Sequence, residues 1–159
     1  MRHILISFLI LVFTMAVTAD SIQKLEEKLE NASGEAKARI LVDLIEKYLD
    51  SDVRKSIQYS NQSFELISEI KDPVLKIRVY NWRAAVLRFK NNPKQAIVFA
   101  EKSLEIAKKI GNKDLESQSL AQIGRAYDGQ NQFKKGLKIL KNALELSREA
   151  KKRLLEGKI

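Results

Sequence analysis

The sequence predicts an all-α solenoid of three helix-turn-helix repeats, preceded by a short N-terminal helix. Three observations predict it. The first is an echo at a period of forty residues. Ala96-Ile97-Val98-Phe99-Ala100-Glu101-Lys102-Ser103-Leu104-Glu105-Ile106 returns as Gly136-Leu137-Lys138-Ile139-Leu140-Lys141-Asn142-Ala143-Leu144-Glu145-Leu146, and a weaker copy runs from Ser56 to Leu66. A fixed period of this size marks a stacked array of supersecondary units. The second is apolar spacing of three and four residues, the signature of helices; short runs such as Ile40-Leu41-Val42 sit inside that periodicity rather than in a strand pattern. The third is punctuation, taken up below.

In chain order, the first nineteen residues stand apart. Arg2 and His3 give a basic start, Ile4 to Phe13 is apolar but for Ser7, and Val17-Thr18-Ala19 places small residues at −3 and −1 of a cut before Asp20. That layout predicts a cleaved secretory signal, 1–19, in preference to an uncleaved N-terminal anchor, and the apolar stretch is short for a span, so no integral membrane segment is expected after cleavage. Residues 20–32 follow as the N-terminal helix, predicted near 21–31 with Ile22, Leu25 and Leu29 on one face.

The repeats are expected at 33–72, 73–112 and 113–152, with helices near 34–49, 53–70, 73–90, 93–110, 114–129 and 133–153. Asp72-Pro73 and Asn92-Pro93 each read as an N-cap followed by proline at the first helical position, where its missing N–H costs nothing; Asp52 occupies the place of Asn92. Ile110-Gly111-Asn112 is a helix stop with glycine in the left-handed cap. Residues 154–159 form a basic C-terminal tail.

In the second helix of each repeat, Ser56, Ala96 and Gly136 fall in register, as do Ser60, Ala100 and Leu140, then Ser63, Ser103 and Ala143, then Phe64, Leu104 and Leu144. Small residues at the first and third places let two helices approach, and large ones fill the seam. In the first helix of the third repeat, Leu120, Ile123, Gly124 and Tyr127 form one stripe. The matching places hold Tyr80, Arg83, Ala84 and Leu87 in the second repeat, and Leu41, Leu44, Ile45 and Tyr48 in the first. Arg83 breaks the apolar pattern.

Composition narrows the chemistry. The 159-residue chain has no cysteine, one histidine and two methionines, and all three of the latter lie before Asp20. A chain cut there contains no Cys, His or Met. It offers no soft metal ligand, cannot build a Ser-His or Cys-His pair, and has no disulfide to staple it. No catalysis, cofactor or metal is expected. The net charge of +9 becomes +8 without Arg2, which favours solubility and attraction to anions. Nucleic acid is not the expected partner, because the charge is spread without the aromatic platforms that single strands use.

The small-x₃-large-x₂-small pattern of the second helix, with Leu-x₂-Ile-Gly-x₂-Tyr in the first, resembles the tetratricopeptide repeat. Leu120, Ile123, Gly124, Tyr127, Gly136, Leu140 and Ala143 fall at the signature places, with Gly136 in place of the usual alanine, and Ala96, Ala100 and Leu104 repeat the second-helix part. The forty-residue period and the stretch 105–114 are similar to the exported sensory regions of bacterial signalling proteins. The resemblance implies a right-handed superhelix whose concave face is lined by first helices, and a function in binding a protein or peptide.

Counted onto this chain, the family's groove places hold Arg39, Val42, Glu46 and Leu49, then Arg78, Asn81, Ala85 and Arg88, then Gln118, Ala121, Arg125 and Asp128. The expected site is Arg39, Arg78, Asn81, Arg88 and Arg125, with the planar guanidinium forks taking carboxylates of an acidic segment. Beside it stands the plainer reading: these arginines are solvated, or paired with Glu46 and Asp128. Tyr80 is expected in the core, and Trp82 against the first repeat.

Other motifs carry little. Ser21-Ile22-Gln23-Lys24 fits S-x-x-K with no companion motif, and pairs such as Glu65/Glu69 are ordinary helix charge. The last repeat leaves Leu137, Leu140 and Leu144 without a following helix. Either Leu154 and Leu155 fold back as a cap, or the open end stacks on something. The expected protein is therefore an exported (periplasmic or secreted), non-catalytic adaptor or sensory module. The alternative is a self-associating or truncated sensory unit, a homo-oligomer joined through its open end.

Overall fold

A computed structural model describes residues 20–49 and 51–156. The proposed signal at 1–19 and the last three residues of the tail lie outside these. Helical residues 20–30 form α1. Then come α2 (Gly34–Tyr48), α3 (Val53–Glu65), α4 (Pro73–Phe89), α5 (Pro93–Lys109), α6 (Lys113–Asp128) and α7 (Phe133–Leu155). No strand occurs among the described residues. The hairpins α2–α3, α4–α5 and α6–α7 stack in order. Each helix contacts the next in sequence, and α4 touches both α2 and α6, so first helices line up along one side. This is an α-solenoid, in which each unit buries its apolar face on its neighbours.

The caps at Asp52, Asp72 and Asn92 work as the sequence predicts, and Asn112, read only as part of a stop, is a fourth. Asp52 accepts the N–H groups of Arg54 and Lys55, Asp72 accepts Val74 N–H, Asn92 accepts Gln95 N–H and Asn112 accepts Leu115 N–H. The stops follow one rule at twenty-residue intervals. Asn91, Gly111 and Asn131 all take positive φ. In each case the next residue's N–H reaches back five places, to Leu87, Ala107 and Tyr127 respectively. This is the Schellman closure, and it needs a residue that tolerates the left-handed region.

One helix departs from expectation. Helix α3 ends at Glu65 rather than continuing to 70. Ile67 and Glu69 close tight turns onto Phe64 and Leu66, and the Glu35 carboxylate accepts the N–H groups of Lys71 and Asp72. Ile70 is thereby carried into the core at 2 % exposure, while its forty-residue counterpart, Ile110, stays outside.

The densest packing lies toward the N-terminal end, where Leu41, Leu44, Ile45, Ile70, Leu75 and Val79 are buried together. Trp82 packs against this cluster as expected, along with Ile22, Leu25 and Leu29 of α1. A second cluster joins Ala84, Leu87, Ala96, Ala100, Ile123 and Ala126 between the second and third repeats. The signature residues Leu104, Leu120 and Tyr127 pack around it. Arg83, the break in the apolar stripe, donates to Asn61 at 2.6 Å and lies 4.8 Å from the centre of the Phe64 ring. It closes the edge of an aromatic group in which Phe64 meets Tyr80 and Phe99.

Gly124 and Gly136 set the last hairpin. A Cβ on Gly136 would sit 2.8 Å from the Gly124 carbonyl oxygen, so the two helices are in backbone contact there. At its far end α7 stays a single helix through Leu155, two residues beyond the predicted limit, and absorbs the start of the expected tail. Leu154 and Leu155 are 68 % and 80 % exposed, so they do not fold back over the open end.

Candidate functional site

The side lined by first helices carries a cleft of about 520 Å³. Its floor is α4 and α6, its near wall is Glu46 of α2, and its far wall is α7 through Leu140 and Leu144. Of the predicted site residues, Arg78, Asn81 and Arg125 line it together, beside Gln118 and Ala121 as counted from the sequence. Side chains one helical turn apart share a face, so α4 presents Arg78 and Asn81 in succession.

Arg39 is not part of this group. It lies at the start of α2, paired with Asp72 at 2.9 Å and Glu35 at 3.3 Å. Glu35 also holds the backbone entering α4, so Arg39 belongs to a clasp between the first and second repeats. The sequence count placed it on the right helix but could not see that Glu35 and Asp72 converge on it.

Arg78 follows the plainer reading in part. It donates to Glu46 at 2.9 Å and to Asp43 at 3.1 Å. Glu46 was anticipated and Asp43 was not. Burial works against the Arg78 charge, but the hydrogen bonds and charges of Glu46 and Asp43 outweigh it and raise its pKa. An arginine satisfied by two acids is a weak anchor for a third.

Arg125 differs. It is exposed, lines the cleft, and forms no ion pair among the described residues. Arg88 lies close enough to feel it. Burial, and then the Arg125 charge, lower the Arg88 pKa, opposed by Asp128. Arg88 is half-buried, stacks at 4.7 Å over the Phe89 ring, and its buried Nε has no hydrogen-bond partner. Asp128 forms no ion pair with either arginine, and Arg125 is solvated, the other state the plainer reading allows. Asn81 adds a third open group: it is 8 % exposed, lines the cleft, and its Oδ1 has no partner.

Sequence reasoning missed the apolar part of the cleft. Trp82 packs on the first-repeat core yet also lines the cleft, as do Leu140 and Leu144. The signal was present in the forty-residue register, which puts Leu140 where Ala100 stands. Among the described residues no cluster of metal-ligating side chains occurs, and no helix is long and apolar enough to cross a membrane.

Residues 75–149 match the family model of the tetratricopeptide repeat. This part of the chain belongs to the tetratricopeptide-repeat family. The matched span covers the second and third hairpins, and α2–α3 extends the same stacking upstream. A curated relative, tetratricopeptide repeat protein 29 of Trypanosoma brucei brucei (strain 927/4 GUTat10.1), is 32 % identical over 74 residues. That alignment takes in 46 % of this chain and 15 % of the relative. Repeats of this family bind proteins and peptides, so protein–protein interaction is the class of function this architecture carries.

Proposed function

We propose that this tetratricopeptide-repeat protein is an exported, non-catalytic adaptor or sensory module that holds an acidic peptide segment in its cleft. The observation that carries the reading is Arg125: an exposed guanidinium in a concave site, without an acidic partner, beside the half-buried charge of Arg88. Two like charges held near each other are relieved by a shared anion, and a planar fork takes a carboxylate in two parallel hydrogen bonds. Asn81 supports the same reading, because a buried amide oxygen without a partner is a costly group that a ligand N–H would satisfy. Trp82 and Leu144 add apolar walls for a side chain next to the carboxylate.

The test is capture of partners from the envelope fraction of the native host with wild-type protein and with Arg125→Glu. Arg125 is exposed and unpaired, so its reversal leaves the fold intact. Arg78→Glu is the poorer probe, since it sets a third acid against Asp43 and Glu46. A partner held by wild type and lost from Arg125→Glu is the expected result. Equal capture by both proteins defeats the proposal.

A further inference from the structure

The two ends of the solenoid are finished differently. At the N-terminal end, α1 lies over the first core and turns Gln23, Lys24, Glu27 and Lys28 outward. At the C-terminal end α7 packs on α6, but nothing among the described residues covers its outer face, and its buried residues are only Gly136 and Ala143. The internal repeat gives the comparison. In α5, Ile97 is 9 % exposed because α6 covers it, whereas its counterpart Leu137 is 56 % exposed. Leu104 is half-buried, whereas Leu144 is 51 % exposed. Phe133, Leu137, Leu140 and Leu144 follow one another at four-, three- and four-residue steps, a single stripe of the kind one helix offers another.

The charge beside the stripe selects its occupant. Lys134, Lys138 and Lys141 are spaced one turn apart along one flank, and no acid occurs between Phe133 and Leu140. None of these three lysines forms an ion pair among the described residues. Two copies of α7 laid together would set two strongly positive helices against each other, with only Glu145 and Glu149 of each to offset eight lysines and arginines, which disfavours self-docking. A bilayer is disfavoured by shape, because Leu140 and Leu144 are also walls of the concave cleft and Leu140 is half-buried there. We infer that the open face of α7 docks an acidic amphipathic helix supplied by a partner protein, seated on α7 much as α6 sits on α5. Its leucine-like face covers the stripe and its carboxylates meet the lysine flank.

The experiment uses fluorescence anisotropy with a labelled synthetic helix bearing leucine at i, i+3, i+4 and i+7 and glutamate on both flanks. Controls are the same peptide with lysine for glutamate, and a peptide of identical composition with the leucines scattered around the helix. The protein is compared with Leu137→Glu/Leu144→Glu, whose two sites are more than half exposed, and with Arg125→Glu; circular dichroism checks that each is folded. The expected result is binding of the acidic amphipathic peptide alone, weakened at high salt, retained by Arg125→Glu, and reduced about tenfold or more by the double variant. Equal binding of either control peptide overturns the proposal, as does indifference to the double substitution. Loss on Arg125→Glu alone moves the peptide to the cleft and overturns the α7 assignment while leaving the cleft reading intact. Binding to phosphatidylglycerol vesicles without peptide binding assigns the face to a membrane. A concentration-dependent dimer abolished by Leu137→Glu/Leu144→Glu, again without peptide binding, assigns it to a second copy.

Discussion

Two glycines that face each other across the last hairpin show how much one missing carbon controls. In an ordinary helix, Gly→Ala is stabilising by about 1 kcal/mol. At Gly136 the added Cβ would lie 2.8 Å from the Gly124 carbonyl oxygen, and backbone cannot step aside without parting α6 from α7. Gly136→Ala is therefore expected to destabilise by about 1–3 kcal/mol despite its better helix propensity. Gly124→Ala meets the Leu140 side chain first, at 2.7 Å, and the Gly136 carbonyl oxygen only at 3.1 Å, and a side chain yields more readily than backbone. Its cost should be smaller. Urea midpoints of the two variants check the order, and a Gly136→Ala protein as stable as wild type would refute the close-contact account. Glu26 makes a second point at this scale. Its Oε1 accepts the hydroxyls of Tyr48 and Tyr59, both at 2.8 Å, and the Lys55 ammonium at 3.2 Å. Those hydrogen bonds, Tyr48 first, lower its pKa from the ordinary 4.5 against the opposing effect of burial. A depressed carboxylate contributes stability above its unfolded value and loses it as pH falls through the folded one. The docking of α1 should thus be complete at neutral pH and weaken below about 4.5. Tyr59 is pushed up to about 12, first by burial and then by its bond to Glu26. A raised group gives its stability below the unfolded value of 10.0 and loses it as pH climbs toward 12. Tyrosine fluorescence and amide exchange in α1, followed at both extremes, report the two losses. In Glu26→Gln the acid transition should disappear.

Elements were legible where local chemistry decides them and illegible where distant side chains do. Caps and stops need only a few adjacent residues, so Asp72-Pro73, Asn92-Pro93 and Ile110-Gly111-Asn112 announced themselves. The end of α3 did not, because it depends on Glu35, thirty-six residues from the Lys71 N–H that it accepts. The same cause governs the cleft. Register placed Arg78, Asn81 and Arg125 on one face, and all three line the cleft. Whether each arginine is free or paired depends on Asp43, Glu46, Glu35 and Asp72, whose positions only the packed helices reveal. The three equivalent stops also permit a controlled test. Gly111 has φ of +68°, and a Cβ there would meet nothing within 4 Å, so a substitution measures backbone strain alone. Gly111→Ala is expected to cost about 1 kcal/mol, the left-handed penalty for a residue with a Cβ. Gly111→Asn should be nearly neutral, since asparagine already occupies the same conformation at 91 and 131. Thermal unfolding of the pair decides it. Equal losses for Ala and Asn would mean that the two native asparagines are strained rather than suited.

The whole molecule carries a gradient. Stability in a solenoid is a sum of unit and nearest-neighbour terms, and units at an end have one neighbour instead of two. Here the two ends are not equivalent. The first repeat is clamped by α1, by the Glu26 node and by the Glu35–Arg39–Asp72 clasp, and it buries Leu41, Leu44 and Ile45 completely. The last repeat buries only Gly136 and Ala143 of α7 and leaves its leucine stripe outside. Since local opening follows the apolar surface buried in each unit, amide exchange should be slowest in α2 and α4 and fastest in α7, with α6 intermediate. Binding at the α7 stripe would reverse the deficit at that end and slow exchange in α6 and α7 together, leaving α2 unchanged. Binding in the cleft would slow α4 and α6 at once, because both form its floor. Exchange measured with and without the acidic helical peptide therefore locates the ligand and tests the gradient in one experiment. A uniform exchange profile in the free protein would show that the three repeats open as one cooperative unit, against the reading of unequal ends.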